Sequence, residues 1–302
     1  ITTGVGETAT LQYNRGELTQ AASIGLDGAT DIITSGEGNK IVLAGAGDDQ
    51  ITLGNGNSDI VSDNGVLDYA NQVFSADNSV SGTDVITAGD GVHRVLAGNG
   101  SDSITLGAGN NDILADTGTL DYAAGTFTAD ELGDGDDMVI TGLGDQLILG
   151  GYGADSITTT DGNDLILGDT GSLQYNGSVL AQATAEGFNG GADIIIVGEG
   201  ENIVLSGTGD DNIMTGSDFD RVFADNGFIQ LDGDTYLISS DSSASDGNDI
   251  VQIGGDYNIV FGGNGDDSIK ASEGVIINKN ILVGDSAGIL FTAGQFFITQ
   301  NT

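Results

Sequence analysis

Aspartate recurs in this chain on a fixed count. Asp31 and Asp49 stand two steps of nine apart, as do Asp84 and Asp102, Asp137 and Asp155, Asp193 and Asp211, and Asp249 and Asp267. Most of them close a glycine turn of the form G-x-G-x-D, as in Gly45-Ala46-Gly47-Asp48-Asp49. A further Asp ends each cycle: Asp63, Asp116, Asp169, Asp225 and Asp285. Short carboxylates set among backbone carbonyls suit a hard cation that takes six to eight oxygen ligands. Of the 46 acidic residues only 8 are Glu, against six Lys plus Arg, and the net charge is −40. Without counter-ions such a charge would drive the compact state apart. Acidity that only solubilised a surface would be scattered, whereas these residues keep to fixed turn positions.

The elements that must carry them are equally regular. Turns begin at Gly36, Gly45 and Gly54, then at Gly89, Gly98 and Gly107, at Gly142, Gly151 and Thr160, and at Gly198, Gly207 and Gly216. The fifth set, Gly254, Gly263 and Ser272, slips, and Asp285 follows it out of step. Each nine-residue step is a turn followed by a short alternating strand, such as Gln50-Ile51-Thr52-Leu53. So short a strand buries its apolar residue only by stacking on copies of itself, which makes the chain a solenoid. Zero Pro fits a ladder interior, and zero Cys removes disulfides and thiolate metal sites.

Gly133-Asp134-Gly135-Asp136-Asp137-Met138-Val139, Gly207-Thr208-Gly209-Asp210-Asp211-Asn212-Ile213 and Gly263-Asn264-Gly265-Asp266-Asp267-Ser268-Ile269 resemble the RTX, or haemolysin-type, calcium-binding nonapeptide. The resemblance implies an all-β fold, a right-handed parallel β-roll (β-solenoid) with two nonapeptides per turn and Ca²⁺ threaded between successive turns. It also implies type I secretion. On that geometry the Asp pairs stack on one side, hereafter the odd side, with one ion expected per unit. The markers Asp63, Asp116, Asp169 and Asp225 fall on the same side, either completing a second site with the preceding turn or opening an Asx-turn. The opposite, even side departs from the motif. Lys40, His93, Gln146, Asn202 and Asn258 stand where Asp is expected, followed by Ser58, Asn111, Asp164 and Asp220. Asp164 and Asp220 remain candidate ligands, but sites on that side are expected to be weak or absent, and Lys40 is suited to neutralise its turn in place of an ion.

A longer period overlies the short one. The first four markers, at positions 63, 116, 169 and 225, are almost evenly spaced, and each is followed by a break in the rhythm such as Leu67-Asp68-Tyr69…Val73-Phe74. Alternating apolar residues around a short turn predict a β-hairpin insert every 53–60 residues or so. Its length, close to that of two nonapeptides, suggests that it substitutes for a third coil. Most aromatic residues, including Tyr13, Tyr69, Tyr122 and Phe297, fall in these inserts, where they either cap the core or form a row of contact points. The chain reads as one continuous solenoid over 1–302, with units at about 7–62, 63–115, 116–168, 169–224 and 225–284 and a partial unit at 285–302. It opens and closes inside insert-like segments without a capping element. This suggests a piece of a longer array, or ends covered by identical neighbours.

One His, no H-E-x-x-H, no phosphate loop and no G-x-S-x-G elbow argue against an enzyme. The acidity argues against nucleic acid, no apolar run is long enough for a membrane span, and no signal peptide opens the chain. The expected role is a secreted bacterial calcium-binding structural segment of a surface fibre, adhesin or surface layer. Its partners would be calcium ions, neighbouring copies of itself, and glycans or a host or cell surface. The alternatives are an accessory RTX module of a secreted enzyme, or a glycan- or ice-binding module.

Overall fold

The computed structural model describes residues 2–5, 9–26, 28–130, 132–133, 135–187, 190–232, 235–240, 247–255, 257–271, 280–285, 287–292 and 295–300. Asp134 and Ser272 lie outside the described residues, as does the side chain of Phe297. The described residues hold no helix and form three sheets, of eleven, ten and twelve strands. In the first two, the rungs of the β-roll pair in parallel. The third is antiparallel and is built from the hairpins.

Sequence patterning decides which sheet lies where. The ten-stranded sheet takes the alternating strands: in Gln50–Leu53, Ile51 and Leu53 are buried while Gln50 and Thr52 are exposed. Its outer face is open to solvent. The eleven-stranded sheet takes continuous apolar strands, such as Leu147–Leu149 and Leu165–Leu167, buried at every position. A strand apolar on both faces must be covered on both. Val42, Ile60, Val95 and Ile148 pack inward against Ile51, Ile86, Ile104 and Val139 of the open sheet, forming the roll interior. Leu43, Val61, Leu96 and Leu149 point the other way and pack under Leu67, Phe74, Leu120 and Phe127 of the hairpins. The result is three layers and two cores.

The hairpins do not take the place of a coil. Gln50 pairs with Ile32 of the coil before it and also with Val85, which lies beyond the hairpin, so coils on either side of a hairpin are direct neighbours. Later units pair in the same way, as in Ser156 with Ile194. The physical reason is commensurate height. Each unit adds two strands to each parallel sheet and one hairpin, hence two strands, to the third. All three sheets therefore climb at the common strand spacing, about 10 Å per unit.

The aromatic residues serve this second core. Tyr69, Phe74, Tyr122, Phe127 and Tyr175 form a continuous ladder with ring centroids 4.9–5.5 Å apart. The Tyr69 hydroxyl donates to Asp59 at 2.8 Å and the Tyr122 hydroxyl to Asp112 at 2.5 Å, tying each hairpin to the sheet beneath it. Tyr13, by contrast, is largely exposed. Phe74→Ala is expected to cost about 3–5 kcal/mol, whereas Thr105→Ala on the open face should change stability by less than about 0.5 kcal/mol. Chemical denaturation of the two variants under folding conditions checks this.

Candidate metal centres along one edge of the roll

The turns of the odd side stack into a column. At Gly100 the backbone has φ +129, and a Cβ there would come within 1.7 Å of the Gly82 carbonyl oxygen. Gly153 has φ +127, and its Cβ would meet the Gly135 oxygen at 1.6 Å. Only glycine fits, because each turn's carbonyl is aimed at the Cα of the next. A file of main-chain oxygens therefore runs the length of this edge.

Beside it runs a file of carboxylates. The backbone N–H of Asp31 donates to Oδ1 of Asp49 at 2.7 Å, Asp49 to Asp84 at 2.7 Å, and Asp84 to Asp102 at 2.8 Å. The chain of bonds continues from Asp102 to Asp137, Asp155, Asp193, Asp211, Asp249 and Asp267 at 2.7–3.1 Å. All ten predicted odd-side ligands are thus brought into one row. The steps that cross a hairpin are as close as those that do not, so the Asp pairs within a unit are no more intimate than the joins between units. The second oxygen tells more. Oδ2 of Asp31, Asp102, Asp137, Asp155, Asp193, Asp249 and Asp267 is buried without any hydrogen-bond partner.

The markers join this edge. Oδ2 of Asp63 accepts from the N–H of Asn99 at 3.1 Å, that of Asp116 from Tyr152 at 2.6 Å, that of Asp169 from Thr208 at 2.5 Å, and that of Asp225 from Asn264 at 2.6 Å. Each bond reaches forward into the next unit's turn, a connection that the sequence spacing alone did not reveal. Oδ1 of Asp63 and Asp169 is buried and unpartnered. Asp285 is exposed, and its charge acts on Asp267.

Burial governs the electrostatics. It pushes the Asp102 carboxyl up to about 10, helped by the charges of Asp137, Asp84 and Asp63. It raises Asp249 to about 9, Asp63 to about 8, Asp211 and Asp137 to about 7, and Asp84 to about 6. Asp155, Asp169 and Asp193 lie well above the ordinary carboxylate range for the same reason.

The even edge is satisfied largely from within, although His93 Nδ1 and Thr141 Oγ1 are buried without a hydrogen-bond partner. Buried Lys40 donates through Nζ to the carbonyls of Gly54 at 2.9 Å and Asn55 at 3.1 Å. Gln146 Nε2 donates to Gly144 at 2.7 Å and Gly109 at 2.9 Å, Asn202 Nδ2 to Gly200 at 3.1 Å, and Asn258 Nδ2 to Gly254 at 2.6 Å. His93, its ring held neutral by burial, meets the Gly89 carbonyl through Nε2 at 2.9 Å. Asp164 and Asp220 differ from the odd-side row in having both oxygens bonded. Oδ1 takes the N–H of Gln146 or Asn202, and Oδ2 takes the hydroxyl of Thr159 or Thr215.

Among the described residues no three acidic or His side chains converge closely enough to hold a metal by themselves. A cation on the odd edge would therefore need carbonyl oxygens as well as carboxylates. The donor set fits such an ion: orphaned buried carboxylate oxygens stand beside a file of carbonyls, and Ca²⁺ accepts both kinds of oxygen. A separate cleft of about 450 Å³, lined by Asp59, Tyr69, Arg94, Asp112 and Tyr122 among others, lies between the hairpins and the roll. Its groups bond one another, with Arg94 Nε 2.8 Å from Asp59 and its guanidinium stacked on Phe74, so it serves as a latch between layers.

A parallel β-roll whose glycine turns line up carboxylates on one edge belongs to the ion-binding solenoids. The RTX calcium-binding nonapeptide repeat matches in four copies, at residues 27–60, 140–172, 189–227 and 243–275, so these stretches carry RTX repeats, which are calcium-binding motifs. The stretch between the first two matches carries the same turns at Asp84, Asp102 and Asp137. No curated protein and no solved structure matches the chain.

The raised carboxyls fix a pH dependence. A carboxyl whose folded pKa exceeds its unfolded value stabilises the fold when protonated, and that stability is lost as pH rises through the folded value. In chelator, β-structure is therefore expected to grow as pH falls from about 8 to about 5, and the apparent Ca²⁺ affinity to fall over the same range as protons compete. Circular dichroism and calorimetric titration at each pH check both signs.

Proposed function

We propose that this chain is a secreted structural segment that folds as Ca²⁺ binds along its Asp edge, and that it acts as a stiff element of an extracellular fibre, adhesin or surface layer. The observation that carries the reading is the row of Asp carboxylates in which Oδ2 of Asp31, Asp102, Asp137, Asp155, Asp193, Asp249 and Asp267 is buried without a hydrogen-bond partner. Asp31, Asp49, Asp84, Asp102, Asp137, Asp155, Asp193, Asp211, Asp249 and Asp267 would hold the ions together with the carbonyls of turn glycines such as Gly82, Gly100 and Gly135. The markers Asp63, Asp116, Asp169 and Asp225 would contribute from the side. Bound Ca²⁺ supplies charge neutralisation and a cross-link between successive turns. The chain's own part is to stack the carboxylates, to exclude water from them, and to leave the even edge to its amide and ammonium donors.

Folding thereby becomes conditional on the cation. Where Ca²⁺ is scarce the −40 chain resists compaction and stays exportable; outside, sites of the extracellular type fill at roughly 10⁻⁴–10⁻³ M and binding energy becomes folding energy. A catalytic role has little support, because the single His is buried at the start of strand His93–Leu96. No helix among the described residues is long and apolar enough to cross a membrane.

Far-UV circular dichroism during a Ca²⁺ titration, with Mg²⁺ as control, tests the reading. A cooperative coil-to-β transition specific to Ca²⁺ is expected, with the midpoint raised several-fold by Asp102→Ala and little moved by Asn202→Asp. Bound metal should not exceed about two ions per unit, since among the described residues the buried carboxylate oxygens without partners lie on the odd edge. A chain already β-folded in chelator at neutral pH would refute the conditional mechanism.

A further inference from the structure

The outer face of the ten-stranded sheet carries two columns of side chains, twenty positions in all, without a single Asp or Glu; its one charge is Lys270. In a chain of net charge −40 that is the face on which a second acidic molecule meets least repulsion. The face is also apolar in a regular way. In the first column Val85, Met138, Ile194 and Ile250 occupy alternate rungs and are exposed, Ile194 by 47% and Ile250 by 46%. The rungs between hold small or polar residues, among them Ser103 and Ser156.

We infer that this face is the docking surface for a second copy of the chain, packed face to face and antiparallel. The sheet has ten rungs, and the large side chains of the first column occupy the odd ones, while in the second column Ile140 and Ile196 stand on odd rungs and Met214 on an even one. A two-fold axis along the strand direction, between strands Met138–Ile140 and Ser156–Thr158, sets rung against rung in reverse order. Every large side chain then meets a small or polar one: Met138 faces Ser156 of the second copy, and Ile194 faces its Ser103. A parallel in-register stack would instead oppose large to large. The face measures about 45 Å by about 15 Å, on the order of 700 Å² per copy, at the lower end of stable interfaces. The partner thus follows from charge and from self-complementary shape. This deepens the structural role proposed above by naming the surface through which copies associate.

Sedimentation velocity in saturating Ca²⁺, with circular dichroism on the same samples, tests it. The expected result is a concentration-dependent dimer, weakened at least tenfold by Ile194→Asp and by Val85→Asp. Mixing the Ile194→Asp chain with a Ser103→Lys chain should restore association in trans. A chain that is β-folded with Ca²⁺ yet monomeric at every concentration overturns the inference while leaving the calcium reading intact. A dimer indifferent to both Asp substitutions overturns it too, because the copies then meet elsewhere. A chain that does not fold with Ca²⁺ fails the calcium reading instead, a separate outcome seen in the dichroism.

Discussion

Buried carboxylates stacked one per rung are the constraint on which the rest of this structure depends. At the strand spacing of about 4.8 Å, two neighbouring carboxylates repel by about 3 kcal/mol for an effective dielectric of about 20. Ten in a row cannot all be charged in that setting without a counter-charge among them. Protons can relieve the repulsion, which is why burial raises the carboxyls so far. A divalent cation relieves it at neutral pH and also satisfies the second oxygen. The glycine turns follow from the same demand, because a Cβ at Gly100 or Gly153 would collide with the very carbonyl that lines the edge.

The second constraint is height. A solenoid tolerates an insertion only where the inserted chain leaves the ladder and does not strand its own backbone groups. Here each insert leaves as a hairpin and pairs with the hairpins above and below it, so its donors and acceptors are met in a third sheet. Two coils per hairpin is the ratio at which the three sheets rise together. Shorter and longer inserts are both accommodated, because the difference is absorbed in the connections while the strand count stays fixed. The aromatic ladder and the Tyr69 and Tyr122 hydroxyl bonds then anchor the added sheet.

Much of this was legible in the sequence, and the failures are informative. The nine-residue step gave the rungs, and the pairing of aspartates two nonapeptides apart put all ten on one edge. The hairpins were visible as alternation around short turns. Their placement was not, since an insert matches a coil in length and only strand pairing shows that Gln50 and Val85 are neighbours. A signal was nonetheless present: Leu147-Ile148-Leu149 and Leu165-Ile166-Leu167 are apolar without alternation, which demands cover on both faces and hence a third layer. The forward reach of Asp63 to Asn99 lay beyond sequence reasoning, because it depends on how two units stack.

The asymmetry between the edges follows from where donors come from. A turn carbonyl aimed into the column needs a partner, and a cation or a side-chain donor will serve. On the even edge Lys40, His93, Gln146, Asn202 and Asn258 bring the donor covalently, at the position where the odd edge has Asp. Such bonds are available at any Ca²⁺ level and hold register between coils. They leave the charge of the odd edge unrelieved, because that edge still stacks its carboxylates at every rung. One edge therefore supplies alignment, and on the proposed reading the other supplies the condition for folding.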